Sequence, residues 1–201
     1  MPRLITGSET GSRILDVAER LVQTRGFNAF SYADIAAELH VTKASLHYHF
    51  ATKADLGRSL IERYRTSFVA ALDRIGRGEG DAGPKLHAYV DIYADVLDNG
   101  RMCLCGMLAA EYATLPASMQ DGVRRFFDAN EAWLVGMLVD GRDKHQLTFT
   151  GEAVDVARVL IAALEGAMLL VRSGLDTSHL RSVARRLLAD LGIDARAEVA
   201  G

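Results

Sequence analysis

The run VTKASLHYHFATKADL, residues 41–56, concentrates side chains that can meet an anion or the edge of a base. Lys43, Ser45, His47, Tyr48, His49 and Lys53 stand there among a few small residues. Their ammonium, hydroxyl, imidazole and phenol groups suit phosphate oxygens and base edges. The stretch is too polar for a core helix. It is also too rich in histidine and aromatics for an ordinary solvated face. On a helix from Lys43 to His49, Leu46 points inward with Phe50 beyond it, and Ala44 is small enough to let the helix lie close to a neighbour. Lys43, His47, Tyr48 and His49 then face outward, with Ser45 near the edge. Two turns of helix fit a DNA major groove.

Two other clusters invite chemistry. His40, His47 and His49 could be read as metal ligands, but residues two apart on a helix project about 200° from each other, and no nearby carboxylate completes a ligand set. No metal or other cofactor is therefore expected. MCLCGML (102–108) holds Cys103 and Cys105, the chain's two cysteines. A helix starting near Cys103 would favour its thiolate. The same spacing points the two sulfurs to opposite sides, against an internal disulfide. These thiols are either packing residues or sensors of oxidants and electrophiles.

The elements that must position these groups are helices. The three prolines are widely spaced and no sustained alternating pattern marks a strand. Ile14, Val17, Ala18, Leu21 and Val22 form one apolar stripe on a helix of about 12–25, stopped by Gly26. Phe27 and Phe30 plug a small core. Ser31 and Asp34 make a capping box for a helix through about Leu39. Thr42 caps the Lys43–His49 helix after a brief turn. A longer helix starts near Thr52 or Lys53 and ends in GRGEGDAGP (76–84). Further helices are expected at about 84–98, 104–114, 117–140, 152–173 and 177–191.

Composition narrows the class. The chain has 201 residues and a net charge of -3, with ordinary hydrophobic content. Residues 1–65 carry a balance of +2 and residues 66–201 one of -5, so the N-terminal third suits a polyanion better. No apolar run is long enough to cross a bilayer, and MPRLITGSETGSR lacks the apolar centre of a signal peptide. A cytoplasmic protein without membrane contact is expected. No phosphate loop, serine elbow or metal-binding pair argues for an enzyme. A thiol enzyme built on Cys103 with His87 or His145 is the weakest alternative.

The segment 26–56, GFNAFSYADIAAELHVTKASLHYHFATKADL, resembles the N-terminal domain of the TetR family of bacterial transcriptional regulators. The resemblance rests on Gly26-Phe27, Ile35-Ala36, Val41-Thr42, Leu46-His47-Tyr48-His49-Phe50 and Lys53, and covers roughly residues 12–65. It departs from the family pattern at His47, which replaces a tyrosine, and at His40, which replaces a common glycine and must accept a left-handed backbone. The resemblance implies an all-α fold: an N-terminal three-helix bundle with a helix-turn-helix (1–52), then a larger helical ligand-binding and dimerisation domain (53–201). It implies that Lys43 and His49 reach bases. Ser45, Tyr48 and Lys53 would hold phosphates, with Tyr32 and Thr42 near the backbone and His47, shorter than the tyrosine it replaces, at a phosphate.

The implied regulator is a homodimer bound to double-stranded operator DNA and released by a small-molecule effector, most simply a repressor. The helix at 151–174 is apolar on two sides. Val156, Leu160, Ala163, Ala167 and Leu170, joined by Leu180, Ala184, Leu187 and Leu191 of the next helix, are the expected dimer surface. Cys103, Met107, Glu111, Tyr112, Phe127, Trp133, Met137 and Glu165 are the expected lining of an effector pocket. Under the thiol alternative, Cys103 and Cys105 sense oxidants or electrophiles on the same DNA-binding scaffold.

Overall fold

The computed structural model describes residues 7–193. The leading Met1–Thr6, part of the segment read for a leader, lies outside the described residues. The helices are α1 (Gly7–Arg25), α2 (Tyr32–Leu39), α3 (Lys43–His49), α4 (Lys53–Arg77), α5 (Ala82–Asp98), α6 (Leu104–Ala110), α7 (Ala117–Asp143), α8 (Ala153–Arg172) and α9 (Ser178–Ala189). A 3-10 turn, Tyr112–Thr114, follows α6. No strand occurs among the described residues. The fold is all-α, as expected.

The chain divides into two compact units. The first takes the described residues through Ser67 and adds Cys103–Phe127. The second takes Phe68–Met102 and the described residues from Asp128 on. A division at 52/53 therefore differs from the packing. The start of α4, α6 and the first turns of α7 share a core with the helix-turn-helix.

In the first unit, α1 packs against α2, α3 and α6. Its stripe Ile14, Val17, Ala18, Leu21 and Val22 is buried, together with Phe27, Phe30, Ile35, Leu46, Leu56 and Leu60. Burying a side chain of this size contributes roughly 1.5–3 kcal/mol. Two glycines let α4 and α7 touch. A Cβ on Gly57 would stand 2.5 Å from the Met119 sulfur, and one on Gly122 would stand 2.9 Å from Ile61. Arg63 of α4 ties back to α1, donating to Asp16 and Glu19 at 2.7 Å each.

In the second unit, α5, α8 and α9 pack on one another. Its centre holds a closed polar ring. Tyr89 donates to Asn130 Oδ1 at 3.0 Å, Asn130 Nδ2 donates to the Tyr93 hydroxyl at 2.9 Å, and the two hydroxyls lie 3.1 Å apart. All three side chains are buried. Each hydroxyl can thus donate once and accept once, which satisfies groups that would otherwise be costly to bury. Trp133 stacks on Tyr89 with centroids 5.6 Å apart.

Candidate nucleic-acid interface

The reading head is built from caps. Ser31 precedes α2, and its backbone N–H and its hydroxyl both donate to the Asp34 carboxylate at 2.7 Å. Those bonds hold Asp34 below the usual carboxylate range. α2 ends at His40, whose backbone is left-handed at φ 55°. The expected departure from glycine is therefore accommodated by strain at His40. Thr42 then caps α3, its hydroxyl accepting the Ser45 N–H at 3.2 Å. The turn between α2 and α3 is thus set by local groups, and Leu46, fully buried, pins α3 to the core.

The outward face of α3 carries Lys43, Ala44, His47 and Tyr48, with Ser45 and His49 half-buried. Tyr48 is 85% exposed, which is extreme for an aromatic and costs apolar hydration unless something covers it. His49 meets Tyr48 edge to face with centroids 5.2 Å apart. Ala44 was read as a close-packing residue. It is exposed instead, and a methyl at that position suits contact with a thymine methyl.

Several expected phosphate ligands are engaged inside the protein. Tyr32 donates its hydroxyl to the Phe50 carbonyl at 2.8 Å. Burial, and then the Asp55 charge, push its pKa up to about 12. His47 Nδ1 lies 3.0 Å from the Ala51 carbonyl, so that nitrogen carries the proton, and its ring packs 4.8 Å from Tyr32. Lys53 departs most from expectation. Its ammonium donates to the Phe27 carbonyl at 2.6 Å and also to the Phe30 carbonyl, and lies 4.5 and 4.2 Å from the centres of those two rings. Burial pulls its pKa down, against the Glu111 and Asp34 charges that raise it. Lys53 is therefore an internal clamp, its ammonium supplying a donor to two carbonyls of the α1–α2 loop. Lys43 and Tyr48 remain the clearest outward groups.

The expected pocket residues are distributed over both units. Cys103, Met107, Glu111, Tyr112 and Phe127 belong to the first unit, and Trp133, Met137 and Glu165 to the second. Cys103 caps α6, its sulfur accepting the Gly106 N–H at 3.4 Å and the Tyr64 hydroxyl at 3.8 Å. Burial first, then the charges of Cys103 and Cys105, push the Tyr64 hydroxyl well up. Both cysteines are buried. The Glu111 carboxylate accepts backbone N–H groups of Phe27 and Asn28. Sequence reading missed Tyr89, Tyr93 and Asn130, whose ring exists only once α5 and α7 meet. It also missed an open cavity of about 500 Å³ bordered by Arg58, Ser59, Ser118 and Arg125.

The expected dimer surface is partly interior. Leu160, Ala167, Leu180, Ala184 and Leu191 are buried within the chain's own second unit, since α8 and α9 cover each other. Val156, Ala163 and Leu187 are half-buried, and Leu170 is exposed. Val159, which was not expected there, is 56% exposed. An apolar cleft of about 280 Å³ lies beside it, bordered by Phe149, Val156, Leu160, Leu187 and Leu191. No group of three or more metal-type ligands occurs among the described residues. No described helix is long and apolar enough to cross a membrane.

A capped pair of short helices with a protruding polar face defines a helix-turn-helix, DNA-binding transcription regulator. Residues 14–60 match the model for "Bacterial regulatory proteins, tetR family". A TetR-family transcriptional regulator from Agrobacterium tumefaciens superposes with a TM-score of 0.90 at 30% identity, over 92% of this chain and 99% of that one. The repressor NemR of Escherichia coli (strain K12) is 29% identical over 171 residues, 82% of this chain and 84% of its own. The reduced form of E. coli NemR superposes with a TM-score of 0.80 at 26% identity, over 92% of this chain and 99% of that one. The chain belongs to the TetR family.

Proposed function

We propose that this chain is a homodimeric, effector-responsive repressor. Two copies pair through the outer faces of α8 and α9, and each presents α3 to one half of a palindromic operator. The observation that carries the reading is the outward face of α3, where Lys43 and an 85% exposed Tyr48 project from a helix fixed by Thr42 and Leu46. Lys43 reads base edges, Tyr48 holds phosphate or stacks against sugar, and Ala44 contacts a thymine methyl. Pairing multiplies the modest affinity of one head and fixes half-site spacing. The similarity to the repressor NemR favours repression over activation.

The test is selection of duplexes from a random pool, followed by anisotropy titration of the selected fragment. Lys43→Ala should shift the selected sequence, each lost base contact costing roughly 1–3 kcal/mol. Tyr48→Ala should weaken binding without changing the sequence chosen. Purified protein that selects no duplex in dilute buffer refutes the reading.

A second reading concerns the signal. Two donors, the Tyr64 hydroxyl and the Gly106 N–H, converge on the Cys103 sulfur inside the unit that carries the reading head. Covalent modification there would replace both contacts and disturb the start of α6. Maleimide modification that releases operator from wild type but not from Cys103→Ser supports a thiol sensor. Equal release from both rejects it.

A further inference from the structure

We propose that Glu111 is a positioning residue for DNA recognition, acting through its hold on the α1–α2 loop. This rests on the operator-binding reading above. The Glu111 carboxylate accepts the Phe27 N–H at 2.7 Å and the Asn28 N–H at 3.3–3.4 Å. The Asn28 side chain donates to the Thr114 hydroxyl at 2.8 Å, and that hydroxyl donates to the Glu111 carbonyl at 2.8 Å. Loop and α6 terminus are therefore tied by side chain and backbone together.

The other face of the same loop is held by Lys53. The peptide joining Phe27 to Asn28 gives its N–H to Glu111 and its C=O to Lys53. It sits between an anion and a cation with its dipole aligned to both, an arrangement in which each bond strengthens the other. Gly26 makes room for the carboxylate, since a Cβ there would stand 2.6 Å from Glu111 Oε1. The loop leads directly into Ser31 and α2, and Tyr32 of α2 bonds the Phe50 carbonyl at the end of α3. The Glu111 bonds thus fix the loop from which the chain runs straight into α2, and the Tyr32 bond carries α2 to the far end of α3.

α6 spans only Leu104–Ala110, with Cys103 capping its start and Glu111 ending it. The Asn28 bonds, at 3.3–3.4 Å, have little length to spare before they are lost.

The experiment uses the full chain. Wild type, Glu111→Gln and Glu111→Leu are titrated against the selected operator and against a scrambled duplex, with sedimentation to follow assembly. Hydrogen exchange is followed at the Phe27 and Asn28 amides. Glu111→Leu should lose about tenfold or more in operator affinity, the weight of a lost charge-assisted pair of bonds. Its affinity for scrambled duplex should be unchanged, and both amides should exchange faster. Glu111→Gln keeps one acceptor and should fall between, a rescue that a general packing role would not give. The proposal is overturned if the amides lose protection while the ratio of operator to scrambled affinity stays at the wild-type value. It is equally overturned if both affinities fall in parallel, as loss of folded protein would produce. A wild-type chain with no duplex preference instead removes the operator-binding reading itself.

Discussion

Lys53→Met separates two roles for one ammonium. In the structure that ammonium donates to two carbonyls, Phe27 at 2.6 Å and Phe30, and rests between the two rings. Methionine keeps much of the stem's volume and removes both bonds. Each charge-assisted bond is worth roughly 1.5–3 kcal/mol, and the two carbonyls are left without a donor. Part of this is returned, because the partly buried ammonium no longer forfeits its hydration, which is also why its pKa is pulled down. The net cost is about 2–4 kcal/mol of stability. Urea unfolding followed by circular dichroism reads that loss directly. Anisotropy titrations at several salt concentrations read the other role. An internal clamp leaves the salt slope of operator binding unchanged, whereas a phosphate ligand would reduce it by about 0.9. A reduced slope with unchanged stability would refute the clamp.

Gly26→Ala should destabilise by about 1–3 kcal/mol, since the backbone there is left-handed at φ 97° and the new methyl displaces Glu111; denaturant midpoints check it. Tyr32→Phe should flatten the alkaline fall in stability. The folded pKa is raised from 10.0 to about 12, so Tyr32 contributes fully below pH 10 and its contribution is lost as pH rises toward 12. Unfolding free energies at pH 9, 10.5 and 12 test this, with Tyr64 supplying a remaining slope of the same sign. Val159→Arg should give monomers in sedimentation while moving subunit stability by no more than about 0.5 kcal/mol, because the side chain is already 56% exposed.

The reading head was legible where local chemistry decides. The bounds of α3 follow from Thr42 and from the pattern around Leu46, and both ends were placed correctly. The left-handed backbone at His40 was expected from the glycine common there in the family the segment resembles. The directions of long side chains were not legible. Lys53 and Glu111 turn inward to serve backbone groups that lie 23 to 84 residues away in sequence, and spacing carries no trace of such pairings. The end of α6 was also overrun: a continuous helix to 114 was expected, yet regular helix stops at Ala110 and a 3-10 turn follows. There the Glu111 carbonyl takes the Thr114 N–H and hydroxyl. In α8 both faces are apolar, so sequence could not say which turns outward. α9 covers Leu160 and Ala167 and leaves Val159 and Leu170 outside.

That outer stripe of α8 bears on gene dosage. On the proposed pairing, the species that silences a promoter forms at a rate set by the square of the chain's abundance. A few molecules per cell would then leave the promoter nearly open, and a modest rise in synthesis would close it sharply. Tightening or loosening the contact at Val159 moves that threshold without touching a single base contact.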